Sequence, residues 1–231
     1  MDWNTFLDTC QTGDLILFSD KKEWYSRAIE FFTGSKFSHV AMILKSPIYI
    51  NPELTGVYIL ESGYEDISAC DTGKITFGVQ ISKIECVKNT LENVKNTVYY
   101  RKLDLEKTPE VNTKTNTTNE HIENVCLTTR DIEHGAFNEK VKFAYNIVKN
   151  KPYDIDPFDW IKAEFHLDIG NVQKTNTFWC SALVACVYVK MGLLATSLPW
   201  TLIEPKFFSF YENPNMKYKD CVLHPEVMIT L

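Results

Sequence analysis

The sequence predicts an α+β fold, with an antiparallel sheet of about five or six strands and helices packed against it. Three observations carry this. Strand-like runs crowd the N-terminal third, two helices dominate the second half, and 45% apolar and 13% aromatic residues supply a packed core. A chain of 231 residues can bury roughly 70% or more of its unfolded surface, so neither disulfides nor metals are needed to hold it together. The whole chain, 1–231, is expected to form one domain carrying a polar insertion at about 105–135.

The elements follow in order. Gly13-Asp14 is a turn signal opening Leu15-Ile16-Leu17-Phe18, which is short and apolar like a buried strand. Glu23 to Phe32 places Trp24, Ala28, Phe31 and Phe32 at helical spacing, and Gly34 is a natural stop. Phe37 to Leu44 and Val57 to Glu61 are two further strands, joined by a turn-rich loop from Pro47 to Gly56. Lys74 to Ile81 alternates like another strand, and Asn96 to Leu103 does so more weakly. The stretch Thr108 to Glu120 has almost nothing to bury and reads as a solvated loop. Asn138 is expected to cap a helix from Glu139 to Lys149, and Lys151-Pro152-Tyr153-Asp154 to form a turn. A second helix begins near Cys180, runs to Met191 and stops at Gly192; it is apolar nearly all round, as a central buried helix should be.

Charge and cysteine usage narrow the function classes. Thirty acidic against 24 basic side chains give a net charge of −6, and the only arginines are Arg27, Arg101 and Arg130. This argues against a nucleic-acid binder. The longest apolar run, Ala182 to Val189, is far short of the roughly 18–20 residues that span a bilayer. Met1-Asp2-Trp3-Asn4-Thr5 lacks the basic and apolar regions of a signal peptide, so a cytoplasmic location is expected. Seven cysteines, scattered without a CxxC pair, suit reduced thiols better than a disulfide framework or a zinc site.

Cys180 stands out among them because it falls at a helix start. The positive end of the helix dipole favours a thiolate there, and the free N–H groups can hold an oxyanion. The plainer reading is a small buried residue, which is the usual fate of a free cysteine. A nucleophilic thiol wants a base, and His39 is a polar ring inside an otherwise apolar strand. Glu61 ends the next strand, where an antiparallel neighbour could bring its carboxylate beside that imidazole. His121, His134, His166 and His224 read as surface residues.

The joint pattern resembles a known family. Gly13 to Phe18 and Phe37 to Leu44 resemble the GDLVFF…SHVGIYL block of NlpC-type papain-like cysteine peptidases. Lys151 to Asp154 with Phe178 to Val184 resemble their PY…DCSGLV block. Here the histidine block comes first, so the chain looks circularly permuted. It is similar to the permuted group that includes YiiX-like bacterial proteins, poxviral members and lecithin:retinol acyltransferase relatives, and most similar to the YiiX-like and poxviral branch. The resemblance covers most of 13–62 and 140–200. It implies Cys180 as nucleophile, His39 as general base and then acid, and Glu61 as the orienting acid. Tyr153 and Ser181 become the oxyanion or substrate-binding residues. Ala41 and Ala182 stand where the family carries glycine, small for small.

The implied activity is thiol-dependent acyl transfer or hydrolysis through a thioester, with no metal or organic cofactor. The acyl compound is left open. Fatty-acyl esters or amides come first, because the aromatic stretch Trp24 to Phe32 and the apolar Leu193 to Trp200 could accept an acyl chain or rest on a membrane surface if exposed. The alternatives are a peptidase or isopeptidase, and a non-catalytic binder using the same cleft. The oligomeric state is not legible.

Overall fold

The computed structural model describes residues 1–19, 35–64, 68–94, 97–106, 129–154 and 172–231. The helix expected over Glu23 to Phe32 and the polar stretch from Thr108 to Glu120 lie outside these residues.

A six-stranded antiparallel sheet forms the centre. Its strands are β1 (Leu15–Ser19), β2 (His39–Lys45), β3 (Val57–Tyr64), β4 (Phe77–Lys83), β5 (Thr97–Arg101) and β8 (Val227–Ile229), in the order β4-β3-β2-β1-β5-β8. Both faces are covered, which is why β1 and β2 read as unbroken apolar runs instead of alternating. Leu15, Leu17, Val40, Met42 and Leu44 point into the main core. The alternate residues Ile16, Phe18, Ala41 and Ile43 point into a second one.

Two short helices seal the second face. Helix α1 (Trp3–Thr9) is started by Asp2, whose carboxylate accepts the Thr5 N–H at 2.9 Å, and it buries Trp3 and Phe6. Helix α2 (Ile84–Val94) adds Ile84 and Val87. The main core lies under α3 (Thr129–Val148) and α4 (Cys180–Met191). Of α4's side chains only Lys190 escapes full burial, and Gly192 ends the helix in the left-handed conformation at φ 84°. The all-apolar helix expected from Cys180 onward is therefore found, packed against α3, β2 and β3.

Four elements differ from expectation. Helix α3 begins at Thr129, so Asn138 is an interior residue and not its cap, and the helix takes over the end of the expected insertion. The strand expected from Asn96 to Leu103 breaks at Lys102. Beyond the break, β6 (Leu103–Leu105) leaves the main sheet and pairs with β7 (Cys221–Leu223). Buried Asp14 fixes that break, accepting the Leu103 N–H, the Tyr100 hydroxyl and the Gln11 N–H at 2.7, 2.7 and 2.6 Å. Glu61 does not end β3, which continues to Tyr64.

The last difference bears on the site. Lys151 to Asp154 is no turn but an extended strip. The Lys151 carbonyl accepts the Val79 N–H at 2.9 Å, and the Tyr153 N–H donates to the Phe77 carbonyl at 3.1 Å. On its other side the strip pairs with Phe178. Close approach to β4 requires Gly78, at φ +152°, where a Cβ would lie 2.3 Å from the Lys151 carbonyl oxygen. Gly78→Ala is expected to cost about 3 kcal/mol, from backbone strain and the displaced strip. Chemical denaturation checks this, and a loss under 1 kcal/mol would show that the strip is not held at Gly78.

Candidate functional site

Cys180 is the first residue of α4 and 6% exposed. The cap residue, Trp179, is extended and offers no side-chain cap, so it does not compete for the first-turn N–H groups. The entry to the helix is pinned by three hydrogen bonds. The Trp179 indole N–H and the Ser181 hydroxyl both donate to the Ile203 carbonyl, at 3.1 and 2.6 Å. The Ser62 hydroxyl donates to the Phe178 carbonyl at 2.6 Å. A sulfur held this way has little freedom to wander.

The sheet makes room for it. The ladder between β2 and β3 stops at the Met42–Leu60 rung, although β2 starts at His39 and β3 runs on to Tyr64. Beyond that rung the main chains of the two strands are no longer paired. The Val40 N–H, released from the ladder, donates to the Cys180 sulfur, as does the Ser181 N–H from the helix.

His39 and Glu61 sit on the two strands that part. The Glu61 carboxylate is buried, with Oε2 3.0 Å from His39 Nε2 and Oε1 accepting the Ser82 hydroxyl at 2.6 Å. The His39 ring also hydrogen-bonds the Cys180 thiol. With Nε2 turned to the carboxylate, Nδ1 is the nitrogen left for sulfur. The ring packs against Phe18 with centroids 5.1 Å apart, and its side chain keeps 25% of its surface open. Thiol, imidazole and carboxylate thus form one line, with the ring in the middle and reachable.

The electrostatics follow from that line. Burial alone would lower the His39 pKa, but the neighbouring sulfur charge and hydrogen bond, then Glu61, outweigh it and raise the value from 6.5 to about 10. Burial likewise opposes a thiolate at Cys180, yet the His39 charge and the hydrogen bonds from His39, Val40 and Ser181 hold its pKa below the ordinary thiol value. The pair therefore favours thiolate and imidazolium over two neutral groups.

The remaining expected residues divide. Tyr153 lies next to the cysteine segment, in a parallel bridge to Phe178, with its ring stacked on Phe77 at 4.7 Å. The Ser181 hydroxyl is committed to Ile203, so what this residue offers the sulfur is its main-chain N–H. Two contributors are absent from the sequence reading. Ser82 lies just past the expected strand end at Ile81, and a strand drawn two residues longer would have put it beside Glu61. The Val40 N–H has no side-chain signature at all. In the apolar segment after α4, Leu193, Leu194 and Trp200 are buried in the main core and Leu198 is partly buried against it. His224 is half exposed and paired with Asp104 at 2.8 Å, a surface role as expected. Among the described residues no group of three or more His, Cys, Asp or Glu could hold a metal ion, and no helix is long and apolar enough to cross a membrane.

No family model matches the sequence. No curated protein matches it either. Among solved structures, the chain is similar to the crystal structure of the metalloprotein yiiX from Escherichia coli O157:H7, with 15% identity, 95% of this chain and 96% of that chain covered, and a TM-score of 0.44.

Proposed function

We propose that the protein is a cysteine acyl hydrolase or acyltransferase of permuted papain-like type, with Cys180 as nucleophile, His39 as proton carrier and Glu61 as orienting acid. The observation that carries the reading is the contact line itself: a helix-start thiol hydrogen-bonded to an imidazole whose far nitrogen lies 3.0 Å from a buried carboxylate.

The chemistry then runs in two halves. The Cys180 thiolate attacks an acyl carbonyl, and the oxyanion is held by N–H groups at the start of α4, with the Tyr153 hydroxyl as a second donor. His39 gives its proton to the leaving oxygen or nitrogen as the bond to the acyl carbon breaks, leaving a thioester. Neutral His39 next takes a proton from water or from an acceptor hydroxyl or amine, whose attack on the thioester releases the acyl product and restores the thiolate. Glu61 fixes the ring through both halves and stabilises it when charged.

The acyl group is the finer part of the proposal, with fatty-acyl esters and amides first and peptide amides second. Burial takes Leu193, Leu194 and Trp200 out of any acyl-chain surface and leaves Leu198 partly exposed. p-Nitrophenyl acetate should give a burst of one equivalent of nitrophenol per chain and an acetyl adduct at Cys180 by peptide mass mapping. Equal turnover in Cys180→Ala, or no adduct, would end the proposal. Competition of fatty-acyl and peptidyl substrates against the burst then assigns the class.

Glu61→Gln is the sharpest probe of the orienting role. The amide keeps the shape but presents an N–H to one of its two partners, disfavouring the ring orientation that faces sulfur. Steady-state hydrolysis is expected to fall about 10²–10⁴-fold with the fold intact. Retention of more than a third of wild-type turnover would show that the carboxylate is only a structural tie.

A further inference from the structure

Directly across from Glu61 on β4 stands Gln80, its register partner. Gln80 is fully buried, yet neither its side-chain nitrogen nor its oxygen has a hydrogen-bond partner among the described residues. It sits between Gly78 and Ser82 on the same face of the strand, and Ser82 shows that side chains of this face reach the Glu61 carboxylate, at 2.6 Å. An amide in such a place is a poor choice for stability, because an apolar chain of equal length would fill the space without an unmatched donor or acceptor. Its use has to be looked for in a state where Glu61 needs another donor.

The proposed reaction contains such a state. In the resting site one Glu61 oxygen faces His39 and the other accepts from Ser82. The groups that face this carboxylate are the titratable His39 from β2 and the neutral Ser82 and Gln80 from β4, with the Cys180 thiolate beyond the ring on α4. Once His39 has passed its proton to the leaving group, its bond to Glu61 loses the charge on the donor and weakens. The buried carboxylate is then left with two neutral donors, the ring N–H and the Ser82 hydroxyl.

We infer that Gln80 is a positioning residue that donates its side-chain N–H to Glu61 when His39 is neutral, holding the carboxylate, and through it the ring, in place for the thioester-breaking half of the reaction. The inference rests on the triad reading above. It acts through Glu61 and not on the substrate, and its mark is a selective loss in the second half of the cycle.

Gln80→Met tests it with p-nitrophenyl acetate, read as the burst and the steady state separately. The expected result is a burst rate within twofold of wild type, a steady-state rate about tenfold lower, accumulation of acetyl-Cys180 by mass, and a melting temperature equal to or above wild type. Should this variant not fold, Gln80→Asn, which withdraws the amide by one methylene, is expected to show the same split. Unchanged burst and steady state would overturn the inference, as would both falling together, which is the mark of a merely structural residue. If wild type itself shows no burst dependent on Cys180, the triad reading fails instead, so the two failures are separable.

Discussion

Carboxamidomethylation of Cys180 by iodoacetamide is expected to rise less between about pH 6 and pH 9 than that of an ordinary thiol, which titrates near 8.5 and speeds up more than a hundredfold over that range. The sign follows from the pair. Burial works against the thiolate, but the His39 charge and three hydrogen bonds win, so the sulfur ionises below its ordinary value. His39 in turn keeps its proton up to about 10. Below that value the pair favours the thiolate–imidazolium form. Above about pH 10 the sulfur stays ionised and alkylation persists, while acyl transfer, which needs the ring's proton for the leaving group, declines. Other thiols move the opposite way: burial pushes Cys10 and Cys221 up to about 11 and Cys186 to about 12. Label at pH 6 should therefore map to Cys180 ahead of these three. His39→Ala removes the cation but leaves the burial, so the thiolate fraction at pH 6 should fall two to three orders of magnitude, about 3–4 kcal/mol. A His39→Ala rate within threefold of wild type at that pH would eliminate the ion pair as the source of reactivity.

The second large effect is on stability and lies away from the site. Arg101 ends β5 and is 2% exposed. Its guanidinium donates to three carbonyls of the C-terminal segment, those of Phe208, Leu223 and His224, each at 2.6 Å, and lies 3.9 Å from the buried Glu226 carboxylate. Glu226 itself accepts the Phe210 N–H at 2.8 Å. One side chain thus ties the last strands to the sheet. Arg101→Met leaves three carbonyls and a buried charge unmatched, and is expected to cost about 3–5 kcal/mol out of a typical 5–15. For a chain of this size that corresponds to a melting temperature lower by about 6–20 °C. Arg101→Lys, a point charge that cannot span the three acceptors, should recover only part. Urea titration with matched slopes gives the number, and a loss under 1 kcal/mol would show the tail to be held by other contacts.

Legibility in the sequence tracks whether a feature is local. The helix starting at Cys180 was readable because an all-apolar run ending in glycine needs no tertiary information, and β1 and β2 because strands covered on both faces carry continuous apolar runs. His39 was conspicuous as a polar ring inside such a run. The start of α3 was misplaced because Asn138 resembles a cap, while the preceding turns carry a weaker apolar pattern. Lys151 to Asp154 read as a turn because proline marks turns locally; its extended form is imposed by β4 and Phe178, which are remote in sequence. Arg101 gave no hint of its role, since its partners are main-chain carbonyls more than a hundred residues away. At the site, side chains were legible and main-chain contributors were not.

The parting of β2 from β3 has a consequence for how such a site tolerates sequence drift. Two of the groups that bond the sulfur, the N–H of Val40 and that of Ser181, belong to the backbone. Every residue except proline supplies the same donor, so replacing either side chain leaves the bond in place provided the strands still part at the same rung. An alanine scan would register the lost Val40 packing and the lost Ser181–Ile203 bond, and would miss both N–H donors. Part of what lowers the pKa of this cysteine is thus written in the course of the chain and not in its lettering, and a distant descendant could change nearly every residue around Cys180 while inheriting the same two hydrogen bonds.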